Sequence, residues 1–102
     1  MEKENIYEGI NEVDREILIN MLTDELPVLR AKIGLSQDEL SSIIGVSRQT
    51  YSAIETKKRK MSWSTFLTLI LFFEHNEKTK LMLGNIGVFP DTLEQLLNAH
   101  KR

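Results

Sequence analysis

The sequence predicts an all-α domain of about five helices, with extra helical segments at its N- and C-terminal ends. Apolar residues recur three or four positions apart along most of the 102-residue chain, a spacing that gives a helix one apolar face. Ser36 with Glu39, and Asp91 with Glu94, have the spacing of capping boxes, which satisfy free N–H groups at a helix start. The hydrophobic fraction of 41% suits one domain with one core.

Residues 35–55 contain two short predicted helices joined at Gly45. Ser36 caps the first helix. The apolar face of that helix is formed by Leu40, Ile43 and Ile44. Gly45 follows this face, where a left-handed residue commonly ends a helix and glycine adopts the conformation most easily. Val46 then fills the corner, and Ser47 caps the second helix, so the pattern predicts a helix, a tight turn and a second helix.

The second helix, residues 47–55, has one face for packing and one polar face. Tyr51, Ile54 and Glu55 fall on one side at helical spacing. The opposite side is small and polar, and it carries Arg48, Gln49, Ser52, Ala53 and Thr56. Such a face fits a DNA major groove, where arginine reads guanine and glutamine reads adenine through paired hydrogen bonds. A solvated helix of an ordinary small bundle has the same polarity, and polarity alone favours that simpler interpretation.

Eight residues across the two helices match the helix-turn-helix pattern position for position, if any small residue is accepted at position 41. They are Gln37, Leu40, Ser41, Ile44, Gly45, Val46, Tyr51 and Ile54. Over about Leu29–Phe73 the chain resembles the Cro/C1-type (phage-repressor, XRE) family of DNA-binding regulators. Two positions depart from the family pattern, because Ser41 replaces the usual alanine and Lys57 the usual glycine. The second departure predicts either a different exit turn or a lysine in a left-handed conformation.

This resemblance implies a lambda-repressor-like bundle that binds double-stranded DNA as a homodimer and regulates transcription. The implied base contacts are Arg48, Gln49, Ser52 and Ala53. The implied phosphate contacts are Gln37, Ser47, Thr50, Lys57, Lys58, Arg59 and Lys60. Gln37 begins the first motif helix, whose positive N-terminal end attracts an anion. Family members also pair an arginine with a glutamate at the positions of Arg30 and Glu55, so we expect that ion pair here.

The net charge of −2 conceals a strong asymmetry along the chain. Residues 1–26 contain eight acidic and two basic residues, whereas residues 47–60 contain five basic residues and one acidic residue. A nucleic-acid-binding protein needs a basic patch and not a basic chain. The asymmetry is therefore compatible with DNA binding, and it predicts that the acidic arm lies away from the phosphates.

Three segments are predicted: an acidic N-terminal arm and helix at 1–22, a helix-turn-helix DNA-binding domain at 23–74, and a C-terminal helical segment at 75–102 that is a candidate for dimerisation. Pro27 cannot lie deep in a helix without removing a backbone hydrogen bond. Either a new helix begins near Thr23 or Asp24, or one long helix kinks there.

The predicted helix 63–73 is apolar nearly all round, so it is either central or covered by another subunit. A two-fold contact is expected to bury the apolar residues that exceed the needs of one small core. They are Phe72, Phe73, Leu81, Met82, Leu83, Ile86 and Phe89. Packing within one chain is the alternative, with nearly equal support.

Several classes of protein are not indicated. The chain has no cysteine, which excludes disulfides and thiolate metal sites, and His75 and His100 lack ligand spacing. No nucleophile motif or phosphate loop is present, so we expect neither an enzyme nor a cofactor. The longest apolar run, 66–73, is too short to span a bilayer, and no signal peptide is visible, which predicts a cytoplasmic protein.

A second functional hypothesis remains open at this point. On the same scaffold, the acidic arm and the apolar C-terminal part would bind a protein, such as a toxin whose antitoxin this chain would be. Fold alone does not separate the two functions. The basic run beside a polar helix face favours DNA.

Overall fold

A computed structural model describes residues 11–88, which form five α-helices and contain no β-strand. The helices are α1 (Glu12–Lys32), α2 (Gln37–Ile44), α3 (Arg48–Glu55), α4 (Trp63–His75) and α5 (Glu77–Ile86). Helix α1 packs against α3, α4 and α5, while α2 packs against α3 and α4. The all-α helical bundle predicted from the sequence is confirmed. Within the described range, no helix combines the length and hydropathy needed to cross a membrane.

Helix α1 begins at a capping box and continues without interruption through Pro27. The Asn11 side chain accepts a hydrogen bond of 2.9 Å from the backbone N–H of Asp14. Of the two alternatives raised by Pro27, the structure has one long helix and no new start near Thr23. Proline lacks an N–H, so the Thr23 carbonyl loses its helical hydrogen bond, and packing must offset that loss. The first turns of α1, which carry Glu12, Asp14 and Glu16, therefore belong to the same continuous helix as Arg30.

A single apolar core forms where the five helices meet. Its fully buried large side chains are Leu22, Leu26, Leu29, Leu40, Tyr51, Phe66, Leu69, Phe73, Leu83 and Val88. The N-terminal half of α1 contributes Leu18, Ile19 and Leu22, so this half packs on the bundle. Helix α5 belongs to the same core through the buried Leu83, and Val88, which follows the helix, is buried there as well.

Two of the apolar residues that were expected in a dimer contact lie instead in the core of their own chain. Phe73 and Leu83 are fully buried within their own chain, so neither is available to a second subunit. Helix α4 turns Phe73 towards the core and leaves Leu71 65% exposed. Leu81 is 80% exposed. Phe89 and the predicted capping box at Asp91 lie outside the described residues.

Ile43 was predicted on the buried face of α2, and this prediction is wrong. Leu40 and Ser41 are buried, and Ile44 packs against the core, whereas Ile43 is 53% exposed. In an α-helix Ile43 lies well away from the side shared by the other three. It lines a shallow apolar groove between α2 and α4.

Lys57 has a left-handed backbone conformation, with φ of +68°. Its N–H donates to the Ile54 carbonyl at 3.0 Å and so ends α3. Of the two alternatives raised by the missing glycine, the structure has the left-handed lysine. A residue with a Cβ atom is strained there, by about 1–2 kcal/mol.

Lys57→Gly and Lys57→Ala separate this strain from the loss of the lysine side chain. Both variants remove the ammonium group, but only glycine relieves the backbone. We expect the glycine variant to be more stable than the alanine variant by about 1 kcal/mol. Urea unfolding with an unchanged m-value measures the difference. Equal stabilities would show that residue 57 is not left-handed in solution.

Candidate nucleic-acid interface

The turn between α2 and α3 is fixed by a left-handed glycine. Gly45 has φ of +84°, and the N–H groups of Gly45 and Val46 both donate to the Ser41 carbonyl, at 2.9 and 3.0 Å. Ser41 is buried, and its hydroxyl donates to the Asp38 carbonyl at 2.9 Å. The hydroxyl is thus satisfied, which explains how serine is tolerated where the resemblance leads one to expect alanine.

Helix α3 begins at Ser47, whose hydroxyl accepts from the Thr50 N–H at 3.0 Å and donates to the Thr50 hydroxyl at 3.0 Å. Tyr51 and Ile54 attach the helix to the core, with exposed fractions of 0% and 2%. The apolar face predicted for this helix is therefore confirmed. The opposite face of α3 is left towards solvent.

An ion pair joins the far end of α3 to α1. The Nε and Nη2 atoms of Arg30 donate to the two carboxylate oxygens of Glu55, at 3.0 and 3.1 Å. The Nη1 atom donates to the Leu35 carbonyl at 3.0 Å. The expected Arg30–Glu55 pair is therefore present, and its two parallel hydrogen bonds fix the guanidinium in one plane.

Two further donors complete the environment of the Glu55 carboxylate. Tyr51 donates from its hydroxyl at 2.7 Å, and Gln37 donates from its side-chain amide at 2.6 Å. The Glu55 side chain is only 6% exposed. This burial alone would raise the pKa of Glu55, but the hydrogen bonds from Arg30, Tyr51 and Gln37 outweigh it and lower the pKa. The carboxylate is therefore held ionised, and burial together with the bond to Glu55 raises the pKa of Tyr51.

The structure thus gives Gln37 a contact that differs from the expected one. Its amide is bound to Glu55 within the chain, so any contact with a phosphate must use its remaining hydrogen-bonding capacity or the backbone N–H groups at the start of α2. Neither this link nor the bond from the Tyr51 hydroxyl was predicted from the sequence. For Tyr51 a signal was present, since Tyr51 and Glu55 are four residues apart on one helix.

The outer face of α3 presents the residues expected to read bases. Arg48 and Gln49 are exposed, and Ser52 and Ala53 are half-buried one turn later. Thr56 is exposed, but its hydroxyl donates to the Ser52 carbonyl at 2.9 Å. The structure brings the four predicted base-contacting residues together on one accessible surface.

The four cations of residues 57–60, called the basic loop here, lie directly after α3. The N–H groups of Lys58 and Arg59 donate to the Ala53 carbonyl at 2.8 and 3.1 Å, so the loop folds back onto the helix end. Lys57 pairs with Asp24 at 2.6 Å, and Lys60 pairs with Glu16 at 3.0 Å.

These ion pairs bring part of the acidic segment to cations that are predicted to contact phosphates, whereas the acidic arm was expected to lie away from them. Glu16 and Asp24, two of the acids counted in residues 1–26, contact the basic loop itself. The reason is the unbroken helix α1, which carries both carboxylates past the loop. Their separation of eight residues, about two turns, was a sequence signal for a shared side of the helix.

A protein-family model described as a helix-turn-helix domain matches residues 26–86, more than half of the chain. The chain belongs to the helix-turn-helix domain family. No curated protein and no solved structure matches it. The match confirms the resemblance seen in the sequence, and it extends through α5, beyond the end at Phe73 inferred from the motif.

Membership of the helix-turn-helix family indicates a DNA-binding regulator, and domains of this family are typically not enzymes. Within residues 11–88, no three His, Asp or Glu side chains are placed to hold a metal ion. The DNA-contacting roles of individual residues remain predictions.

Glu55→Gln tests how far the network at the end of α3 stabilises the domain. The substitution leaves Arg30 without its charged partner, and we expect it to cost about 2 kcal/mol of unfolding free energy at pH 7. Because the folded-state pKa of Glu55 is lowered, the carboxylate stabilises the fold above its ordinary pKa of about 4.3. That stabilisation is lost as the pH falls through the lower, folded-state pKa.

Urea unfolding at several pH values between 7 and about 3 measures this effect. The difference between wild type and Glu55→Gln should shrink below about pH 4. Glu25→Gln is the matched control, because Glu25 has no side-chain hydrogen bond to any of residues 11–88. A constant difference at every pH would contradict the ionised network.

Proposed function

We propose that this helix-turn-helix protein is a sequence-specific double-stranded DNA-binding transcriptional regulator that reads its site with α3. The observation that carries the proposal is the placement of α3. The Arg30–Glu55 network and the buried Tyr51 hold one side of the helix, while its polar side is exposed and lies next to the basic loop. A rigid polar helix beside clustered cations supplies both base readout and phosphate attraction.

Base readout is assigned to the N-terminal half of α3. The exposed Arg48 and Gln49 have the donors and acceptors that recognise guanine and adenine in the major groove. Ser52 and Ala53 follow one turn later, where a hydroxyl or a methyl group can contact a base edge or the thymine methyl group. This order places the longer side chains nearest the exposed end of the helix.

Phosphate contacts are assigned to residues around α3. Gln37 lies at the start of α2, Ser47 caps α3 and Thr50 lies in its first turn, and helix N-termini attract anions. The basic loop, Lys57–Lys60, follows the C-terminal end of α3. Lys58 and Arg59 form no ion pair within residues 11–88, whereas Lys57 and Lys60 do. We therefore expect Lys58 and Arg59 to be the more readily available cations.

We further propose that the protein acts as a homodimer on a near-palindromic site. One recognition helix reads only a few base pairs, too few to select a site among many competitors. After Phe73 and Leu83 are removed from the expected contact, α5 still presents Leu81, with Met82 and Ile86 partly exposed. Residues 75–102 are thus the proposed dimerisation segment, 23–74 the DNA-binding domain and 1–22 the acidic arm and helix. Because the proposed partner is intracellular DNA, the proposed location is the cytoplasm.

One observation favours the alternative, a protein-interaction module such as an antitoxin. The groove between α2 and α4 is apolar and open, and its lining includes Ile43, Ile44, Leu71 and Phe72. Exposed apolar surface of this kind can bind a protein. The groove does not involve the polar side of α3, so the two functions do not exclude each other.

Base readout is tested by selecting preferred duplexes from a random pool with wild type and with Arg48→Ala plus Gln49→Ala. The double variant should lose preference at two positions of the selected site, with a cost of about 1–3 kcal/mol for each lost bidentate contact. Both side chains are exposed, so thermal unfolding should be unchanged. An unaltered selected sequence would rule out direct readout by α3.

The dimer is tested by light scattering across micromolar concentrations. Wild type should have twice the 11.8 kDa mass of one chain, and Leu81→Lys should shift it towards the monomer. Leu71→Lys is the matched control on the other exposed apolar surface. Dissociation by Leu71→Lys alone would move the interface to the α2–α4 groove, and a monomeric wild type would remove the dimer.

A further inference from the structure

A polar cleft separates helix α1 from the basic loop. The residues that line it are Asn20, Thr23, Asp24, Lys57, Arg59 and Lys60. Two ion pairs join α1 to the loop here. The Nζ atom of Lys57 lies 2.6 Å from a carboxylate oxygen of Asp24, and that of Lys60 lies 3.0 Å from one of Glu16. Two of the four loop cations are therefore already bound to carboxylates of the same chain.

The backbone brings these charges together. Glu16 and Asp24 lie about two turns apart on one side of an uninterrupted helix. The loop is held against α3 by the hydrogen bonds from Lys58 and Arg59 to the Ala53 carbonyl. Both walls of the cleft are therefore defined by the fold before any ligand arrives.

The ion pairs are weak enough to be exchanged. All four paired side chains are more than half exposed to solvent. Ion pairs in such surroundings contribute little to stability, because water and salt screen them. A DNA phosphate that approaches the loop can replace a carboxylate as the partner of either lysine, since both are oxyanions of similar hydrogen-bonding geometry.

We propose that Glu16 and Asp24 control the affinity of this protein for DNA by competing with phosphates for Lys60 and Lys57. The inference rests on the proposed DNA-binding function and deepens it. In the free protein the two carboxylates neutralise half of the charge of the basic loop. When a phosphate takes over a lysine, the released carboxylate must be hydrated and must recruit its own counterion. Both effects weaken binding to a duplex of any sequence.

The same exchange also reduces the salt dependence of binding. Each cation that neutralises a phosphate releases counterions from DNA, which contributes about −0.9 to the slope of log K against log salt. A carboxylate that takes up a cation on release from its lysine cancels much of that contribution. The acids of α1 therefore make the affinity for DNA lower and less sensitive to salt than the basic loop alone would make it.

The test compares wild type with Glu16→Gln plus Asp24→Gln. Two labelled duplexes of equal length serve as probes, one carrying the selected site and one of arbitrary sequence. The variant should bind both more tightly at about 50 mM salt, with a slope steeper by up to about 1.8. On that slope its advantage over wild type should shrink roughly tenfold by about 200 mM. Each single substitution should produce about half of the change in slope, so one well-folded single variant suffices.

Two controls separate local competition from a general charge effect. Glu25→Gln plus Glu77→Gln changes the net charge by the same amount, but neither residue forms an ion pair within residues 11–88. This control should gain much less affinity. Adding Lys57→Gln and Lys60→Gln to the first variant restores the net charge of wild type and removes the contested lysines, so this quadruple variant should lose the gain in affinity.

The results separate a failure of the inference about Glu16 and Asp24 from a failure of the proposed DNA-binding function. If Glu16→Gln plus Asp24→Gln binds with wild-type affinity and slope, or gains no more than the matched control, the inference is overturned and DNA binding stands. A quadruple variant that keeps the gain would likewise overturn it, because the lysines would then not be the contested groups. If neither wild type nor the variant binds any duplex, the proposed function fails and the inference fails with it.

Discussion

The Glu55 carboxylate is the constraint on which the rest of this structure depends. It accepts hydrogen bonds from α1 through Arg30, from α2 through Gln37 and from its own helix through Tyr51. A buried carboxylate needs several donors, because an unpaired charge in the interior is costly. The need for those donors fixes how α3 lies against α1 and α2, and with it the direction of the outer face. The orientation of the proposed reading surface is therefore set by an interaction on the opposite side of the helix.

Much of this arrangement could be predicted from the sequence, because it depends on local signals. The capping box at Ser36, the left-handed Gly45, the cap at Ser47 and the buried face of α3 follow from spacing and from backbone geometry. The Arg30–Glu55 pair came from family resemblance and not from spacing, since 25 residues separate the two partners. The Gln37 contact was missed because nothing local distinguishes an amide that binds a carboxylate within the chain from one that is free for phosphate.

The predictions that differ from the structure concern features that depend on tertiary packing. Whether Pro27 interrupts a helix is decided by what packs on both sides of it, and Leu22, Leu26 and Leu29 hold the helix to the core through that region. Because α1 is continuous, Glu16 and Asp24 reach the basic loop. The distribution of charge along the sequence could not indicate this contact. Similarly, apolar content does not show which apolar residues exceed the needs of the chain's own core. Phe73 and Leu83 serve the chain's own core, while Ile43 remains at the surface.

The unbroken helix α1 has a mechanical consequence for an encounter with DNA. One continuous helix carries Arg30, which is hydrogen-bonded to α3, and also Glu16 and Asp24, which pair with two lysines of the basic loop. The proposed reading surface on α3 and the basic loop are therefore both attached to α1. Fixing the backbone of one residue costs about 1–2 kcal/mol of conformational entropy, and for α3 and the basic loop that cost is met on folding. The backbone offered to a duplex is thus preorganised, while the lysine side chains on it stay able to exchange partners.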